Sequence, residues 1–183
     1  MLTRTQVTLA EFEAFVRLPE NRERLFEYIN REIHEVVSNG YSSKLGLRVG
    51  RYLGAFVDDN DLGHVTGADG GYWVYNERYI PDAAYVSYAK QAELEYREGY
   101  IPVAPDLAVE VLSPGNEESD MLVKVANYLN AGTLLWLVYP LEKQVQVFAP
   151  GAQVRTLTLA AGDVLDGGSV LADFTLPLAQ IFK

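Results

Sequence analysis

The 183-residue chain contains no cysteine, which removes disulfides, thiolate zinc sites and cysteine nucleophiles together. That fits a reducing compartment, and a cytoplasmic location is the expectation. Histidine is almost as scarce: His34 and His64 are the only two, and neither has a neighbour at zinc-ligand spacing. No apolar run reaches the roughly 18 residues that span a bilayer, and the opening MLTRTQVTLAEFEAF has no apolar core of signal-peptide type. Neither membrane insertion nor secretion is therefore expected. Phosphate-loop and dinucleotide fingerprints are missing, and Ser113 lacks the glycine elbow of a serine hydrolase. Positive charge is also short, with 15 Lys+Arg against 25 Asp+Glu and a net charge of −10. Such a chain is not a general nucleic-acid coat protein, whose affinity comes from neutralised phosphates. The acidic excess is uneven: residues 1–57 hold eight Lys+Arg against seven Asp+Glu, so it lies wholly downstream.

What the chain does hold is apolar and aromatic material. Hydrophobic residues make up 49% and tyrosine alone contributes twelve, a globular composition. The length points to a single domain over residues 1–183. Thr8-Leu-Ala-Glu11 is a capping box opening a short helix to about Val16. LFEYINREIHEVV reads as a strand pair turning at Asn30-Arg31. From Tyr41 to Val57 the apolar positions Leu45, Val49, Tyr52, Leu53 and Phe56 share a helical face. Lys44, Arg48 and Arg51 share another, either a solvated face or a phosphate-facing stripe. His64–Trp73 and Glu77–Ser87 read as a hairpin turning near Tyr75-Asn76. Ala89–Val103 reads as a charged loop placed to flap over an open site.

The centre of the chain is Ala104–Pro140, read as strand, helix, strand: a right-handed crossover unit. Its first strand is apolar on both faces, as in a sheet covered on both sides, yet carries Asp106 and Glu110. Ser113-Pro-Gly-Asn116 is expected to cap a helix running from Asn116 to Asn130, stopped by Ala131-Gly132. Leu134–Tyr139 is a buried strand. Short antiparallel strands follow at Gln144–Phe148, Val154–Leu159 and Val164–Leu165, as a meander beside the central sheet.

A buried carboxylate costs several kcal/mol unless it is paired or holds a metal, so Glu110 needs a partner. Asp82 is the first candidate. Pro81-Asp82 and Pro105-Asp106 each mark a strand start, where proline is tolerated, and alone neither aspartate means more than that. If the strand from Asp82 pairs with the strand through Glu110, however, the two carboxylates stand about 4.8 Å apart at the backbone. That suits two oxygens on one Mg²⁺ at about 2.1 Å. Asp106, about 13 Å along the strand from Glu110, is structural or outer-shell. On the following helix the core arc reads Leu122, Val125, Ala126 and Leu129, with Met121 and Tyr128 flanking it. Lys124 sits at the polar boundary. It is a solvated lysine unless the helix aims it back at Glu110, where it would orient a water. Glu27, with Glu32 more weakly, is a further acid, either on a half-exposed strand face or in the site.

Tyr79-Ile-Pro-Asp82-Ala-Ala-Tyr-Val86, Pro105-Asp-Leu-Ala-Val-Glu-Val-Leu-Ser-Pro114, then Asp120, Lys124 and Tyr128, Ala131-Gly132 and Leu134-Leu-Trp-Leu-Val138 together resemble the Uma-two family. These are bacterial restriction-endonuclease-like proteins of the PD-(D/E)XK nuclease superfamily. The similarity extends to Phe26-Glu27-Tyr-Ile and Glu32, and to Phe174…Pro177-Leu…Ile181-Phe182. It implies an α/β (α+β) restriction-endonuclease-like core, a mixed central sheet flanked by helices, with extra antiparallel strands at both ends. It also implies a Mg²⁺- or Mn²⁺-dependent endonuclease acting on DNA, and a homodimer. Asp82 then corresponds to the motif aspartate and Glu110 to the acid of (D/E)XK, the two metal ligands. Leu112 stands at the usual lysine position, Lys124 replaces it from the next helix, and Glu27 adds an acid. Three positions depart from the family: Asn30-Arg31-Glu32 for Asp-Gly-Glu, Tyr41-Ser-Ser43 for a histidine at the core helix start, and Tyr139 for an aspartate. With the charge of −10, they keep a second reading open, a catalytically inactive nuclease fold used for binding or regulation.

Overall fold

The computed structural model describes residues 6–95, 99–115 and 117–183. Helix α1 (Leu9–Val16) begins with the reciprocal Thr8–Glu11 capping box and buries Phe12. Strands β1 (Phe26–Ile29) and β2 (Glu32–Glu35) form the expected hairpin. Asn30 and Arg31 at its turn both have positive φ, 50° and 66°, the I′ geometry that suits a two-residue connection.

Helix α2 (Gly40–Asp59) is capped by Asn39, whose side-chain oxygen accepts from the Tyr41 and Ser42 amides. It buries Leu45, Val49, Leu53 and Val57. The basic stripe on its other side is not turned toward the carboxylates. Lys44 donates to the carbonyl of Lys183 at 3.0 Å and Arg48 to those of Ile181 and Lys183, while Arg51 lies over the Tyr52 ring. These side chains pin the end of the chain to α2.

The hairpin read over 64–87 is two structures. β3 (Gly63–Gly67) pairs with β6 (Ala83–Ser87) in the main sheet. β4 (Tyr72–Val74) and β5 (Glu77–Tyr79) turn at Tyr75 but join β1 in a second sheet. The breaks fall at Gly67-Ala-Asp-Gly-Gly71 and at Pro81, residues that interrupt a ladder through backbone freedom and a missing N–H. A strand long enough by sequence thus changes sheets half-way.

β7 (Leu107–Val111) and β8 (Leu134–Tyr139) are parallel and joined through α3 (Glu118–Asn130), the crossover unit as expected. The main sheet has the order β10-β9-β8-β7-β6-β3 and the second β2-β1-β5-β4. β9 (Gln144–Phe148) and β10 (Arg155–Thr158) extend the main sheet. β11 (Val164–Gly167) pairs instead with β12 (Leu171–Pro177), a strand not expected from periodicity, and α4 (Leu178–Ile181) follows. Among the described residues no helix is long and apolar enough to cross a membrane.

Alternation along β7 decides what each residue meets. Leu107, Val109 and Val111 enter the core with α2, Trp136 and Phe174. Ala108 faces the opposite way, with Tyr128 of α3 and Tyr79 of the second sheet. Glu110, two residues on from Ala108, therefore also faces α3.

Two expectations for α3 need correction. The helix starts at Glu118 with Glu117 at the N-cap position, whereas Asn116 lies outside the described residues. Its inward residues are Met121, Lys124 and Tyr128, while Leu122 is 64% exposed. The arc is rotated from the one that hydrophobicity indicates, because the surface beneath it offers carboxylates.

Candidate active site

Lys124 is 4% exposed. Its Nζ lies 2.7 Å from Glu110 Oε1 and donates to Glu27 Oε1 at 2.9 Å. Each acid is held by a second donor. The Tyr128 hydroxyl donates to Glu110 Oε1 at 2.8 Å and the Ile80 amide to Glu27 Oε1 at 2.7 Å. Tyr79 packs beneath, 5.3 Å from Nζ at its ring centroid and edge-on to Tyr128. The Asn127 side-chain amide donates to the Tyr79 hydroxyl oxygen at 2.8 Å.

Asp82 stands just outside the β6–β7 ladder, whose last pair is Ala83 with Val109. The next β7 amide that points toward β6 is that of Val111, and it donates to Asp82 Oδ2 at 2.7 Å. A side chain thus completes the ladder where Pro81 begins. Gly46 of α2 crosses at this point, and a Cβ there would lie 2.9 Å from Asp82 Cβ. Glycine is required for this close approach.

Asp82, Glu110, Glu27 and Lys124 line one cavity of about 340 Å³. Asp106 is elsewhere, accepting from the Ser87 amide at 2.7 Å and pairing with Lys90 at 3.0 Å. The 89–103 segment contributes no described residue to this cavity. Its Ile101 bridges to Tyr72 and Tyr100 donates to the Phe26 carbonyl, on the other side of the second sheet. Its described residues do not flap over the carboxylates.

The electrostatics follow from burial. Burial pushes Glu110 up to about 7; Lys124 opposes this, while the charges of Glu27 and Asp82 add to it. Burial also raises Asp82, against the Val111 amide and Lys124. For Lys124 burial acts downward, but Glu110 and Glu27 outweigh it and keep the ammonium charged. With all groups ionised, three carboxylates face one ammonium, an excess of two negative charges. Among the described residues no three His, Cys, Asp or Glu side chains converge to ligate one ion together.

Sequence reasoning missed His34 as a member of this cavity. It stands opposite Glu27 in the β1–β2 register. Its Nε2 lies 3.7 Å from Glu32 and its Nδ1 3.6 Å from Asp120. The two acids lie toward opposite ring nitrogens, so the three side chains do not converge on one point. The signal that could have found it is the cross-strand offset from Glu27, together with Asp120 one helical turn before Lys124.

Residues 12–179 match the model of the Uma2 family, described as "Putative restriction endonuclease". The chain belongs to this family. This Uma2 chain is similar to a solved structure from Anabaena variabilis ATCC 29413, described as a putative nuclease belonging to DUF820. The two share 22% identity and superpose with a TM-score of 0.80, over 96% of this chain and 97% of the other. At that identity the likeness establishes the fold, a mixed sheet flanked by helices and antiparallel sheets. No curated protein matches the chain.

Proposed function

We propose that this Uma2 protein is a Mg²⁺- or Mn²⁺-dependent endonuclease that hydrolyses DNA phosphodiester bonds, with Asp82, Glu110, Lys124 and Glu27 as its catalytic set. The observation that carries the reading is the convergence of Asp82, Glu110 and Glu27 on one cavity in which Lys124 is the only lysine or arginine among the described lining residues. Burial disfavours the charged forms of Glu110 and Asp82, a divalent cation favours them, and all the donors are hard oxygens, as Mg²⁺ requires. Asp82 and Glu110 would hold the ion through the oxygens not already bonded to Val111 and Lys124. Two carboxylates are enough, because Mg²⁺ keeps several waters and takes substrate phosphate oxygens rather than an all-protein cage. Bound there, the ion supplies Lewis-acid polarisation of the phosphate and a lowered pKa for the attacking water. Lys124, held charged between Glu110 and Glu27, orients that water by hydrogen bonding. Glu27 fixes the ammonium's position, and Tyr128 fixes Glu110. Water attacks in line, the P–O3′ bond breaks, and 5′-phosphate and 3′-hydroxyl ends result. Two sites, as in a homodimer, would cut both strands.

The competing reading, a binding-only member of the fold, draws on the net charge of −10. Cleavage of plasmid and single-stranded DNA in Mg²⁺ or Mn²⁺ decides between them. The wild type should nick and Asp82→Ala should fall by about 100-fold or more. Equal background nicking by both would remove the nuclease assignment.

A further inference from the structure

A second, larger cavity of about 660 Å³ lies over the face of the β2-β1-β5-β4 sheet that carries Phe26, Arg78 and Trp73, opposite the face that carries Glu27, and Ile80 at the end of the sheet lines both it and the carboxylate cavity. Its walls carry four arginines, Arg17, Arg22, Arg24 and Arg78, with Trp73 and Tyr100 among them. On a chain with ten more acidic than basic residues, that concentration is unusual. Two acids, Glu13 and Asp69, also line it.

The arginines divide into two kinds. Arg78 is buried, pairs with Glu13 at 2.7 Å, and lays its guanidinium over the Trp73 ring at 4.3 Å. Arg24 is fixed by Glu35, by the Asn21 side-chain oxygen, and over the Phe26 ring at 4.8 Å. Arg17 and Arg22 are exposed and make no ion pair among the described residues. Fixed guanidinium–aromatic stacks beside free cations are the two components of a strand-binding groove. Aromatic faces take bases without regard to sequence and cations follow the phosphates. Trp73, already backed by Arg78, keeps 42% of its surface exposed. Arg78 covers part of the ring, and the exposed remainder is available to a stacking partner. A base stacks on an aromatic side chain only when it is unpaired, so the partner this lining suits is a single strand.

We propose that this cleft binds an unpaired stretch of the nucleic acid whose phosphodiester lies at Asp82 and Glu110, with a base stacked on Trp73 and phosphates on Arg17 and Arg22. The inference rests on the nuclease reading for the neighbouring cavity and adds the substrate class: DNA with a single-stranded segment beside the scissile bond.

Fluorescence provides the test, because Trp136, the chain's other tryptophan, is completely buried. In EDTA, so that nothing is cut, a 12-nucleotide oligothymidylate should quench the emission of Trp73. Trp73→Phe should lose the quench, and Trp73→Ala should weaken binding by roughly 5- to 100-fold. The double variant Arg17→Ala/Arg22→Ala should keep the quench at low salt and reduce the slope of log affinity against log salt by about 1.4, at about 0.7 per phosphate contact on a single strand. All variants are checked for unchanged melting temperature. A blunt duplex of equal length binding as well as the single strand would overturn the proposal, as would a quench that survives Trp73→Phe. Equal competition by polyglutamate would overturn it too, assigning the cleft to an acidic protein. Asp82→Ala should bind the oligonucleotide normally. Binding without cleavage in the wild type therefore defeats only the nuclease reading, and cleavage without binding defeats only this one.

Discussion

At the scale of single residues, Lys124 decides the character of the site. A lysine at the edge of a helical polar face is ordinarily solvated, yet this one is buried among three acids. Its removal would strand Glu27 and Glu110, each 11% exposed or less at the side chain, without a counter-charge. Breaking a buried pair by deleting one partner costs about 3–5 kcal/mol. Lys124→Met should therefore lose roughly that much stability in urea titrations at pH 8. The loss should shrink at pH 5, where the stranded carboxylates can take up protons. An equal loss at both pH values would show that packing, not charge, explains the burial. The arrangement was half legible in the sequence. Asp82 and Glu110 stood out because charge interrupts apolar strands, whereas Lys124 had only a positional argument and His34 none, since helical and strand periodicity rank residues by hydrophobicity and not by the partners they meet across elements.

At the scale of elements, α2 is shaped to pass close to the site. Gly46 lets the helix lie against Asp82, whereas Gly54, two turns on, has open space where a Cβ would stand. Glycine to alanine in a helix interior gains about 1 kcal/mol when nothing opposes it. Gly54→Ala should accordingly raise stability by about that amount. Gly46→Ala should gain none of it and should impair cleavage by displacing Asp82. A normal rate and a raised melting temperature for Gly46→Ala would show that the contact at 2.9 Å relaxes without consequence. The elements that sequence reading placed well are those with strong local signals: the α1 capping box, the β1–β2 turn, and the crossover of β7, α3 and β8. It placed β3–β6 poorly, because a run of strand-forming residues does not say which sheet it joins, and Gly67–Gly71 with Pro81 allow the chain to change sheets.

For the whole molecule, the buried acids set the response to pH. Burial, as the leading cause, raises both Glu110 and Glu77 to about 7. A carboxyl whose folded pKa exceeds its unfolded value stabilises fully below the unfolded value, near 4.5, and the contribution is lost as pH rises through 7. Exposed groups act in the opposite sense. Glu35 and Asp166 are lowered by hydrogen bonds from Arg24 and Arg155, so their contribution is present at neutral pH and is lost on acidification. Stability without added metal should therefore fall between pH 5 and pH 8. Because protons and a divalent cation compete for Glu110 and Asp82, Mg²⁺ should raise the melting temperature more at pH 8 than at pH 6, and Glu110→Gln should abolish that difference. A pH-independent Mg²⁺ effect would place the ion elsewhere.

The sequence by itself determined the apolar strands, the capped helices, the family and the two acids that could not be buried without a reason, because these depend on neighbours within a few residues or on a family pattern. Only the tertiary structure decided which charges meet. It brought Glu27 from the second sheet to Lys124, turned α3 so that its ammonium and Tyr128 point inward, and set an arginine cleft on the opposite face of the second sheet from Glu27. Those outcomes depend on burial summed over distant segments: an ion pair forms inside a protein only where several elements exclude water from the same point, and no local pattern encodes that.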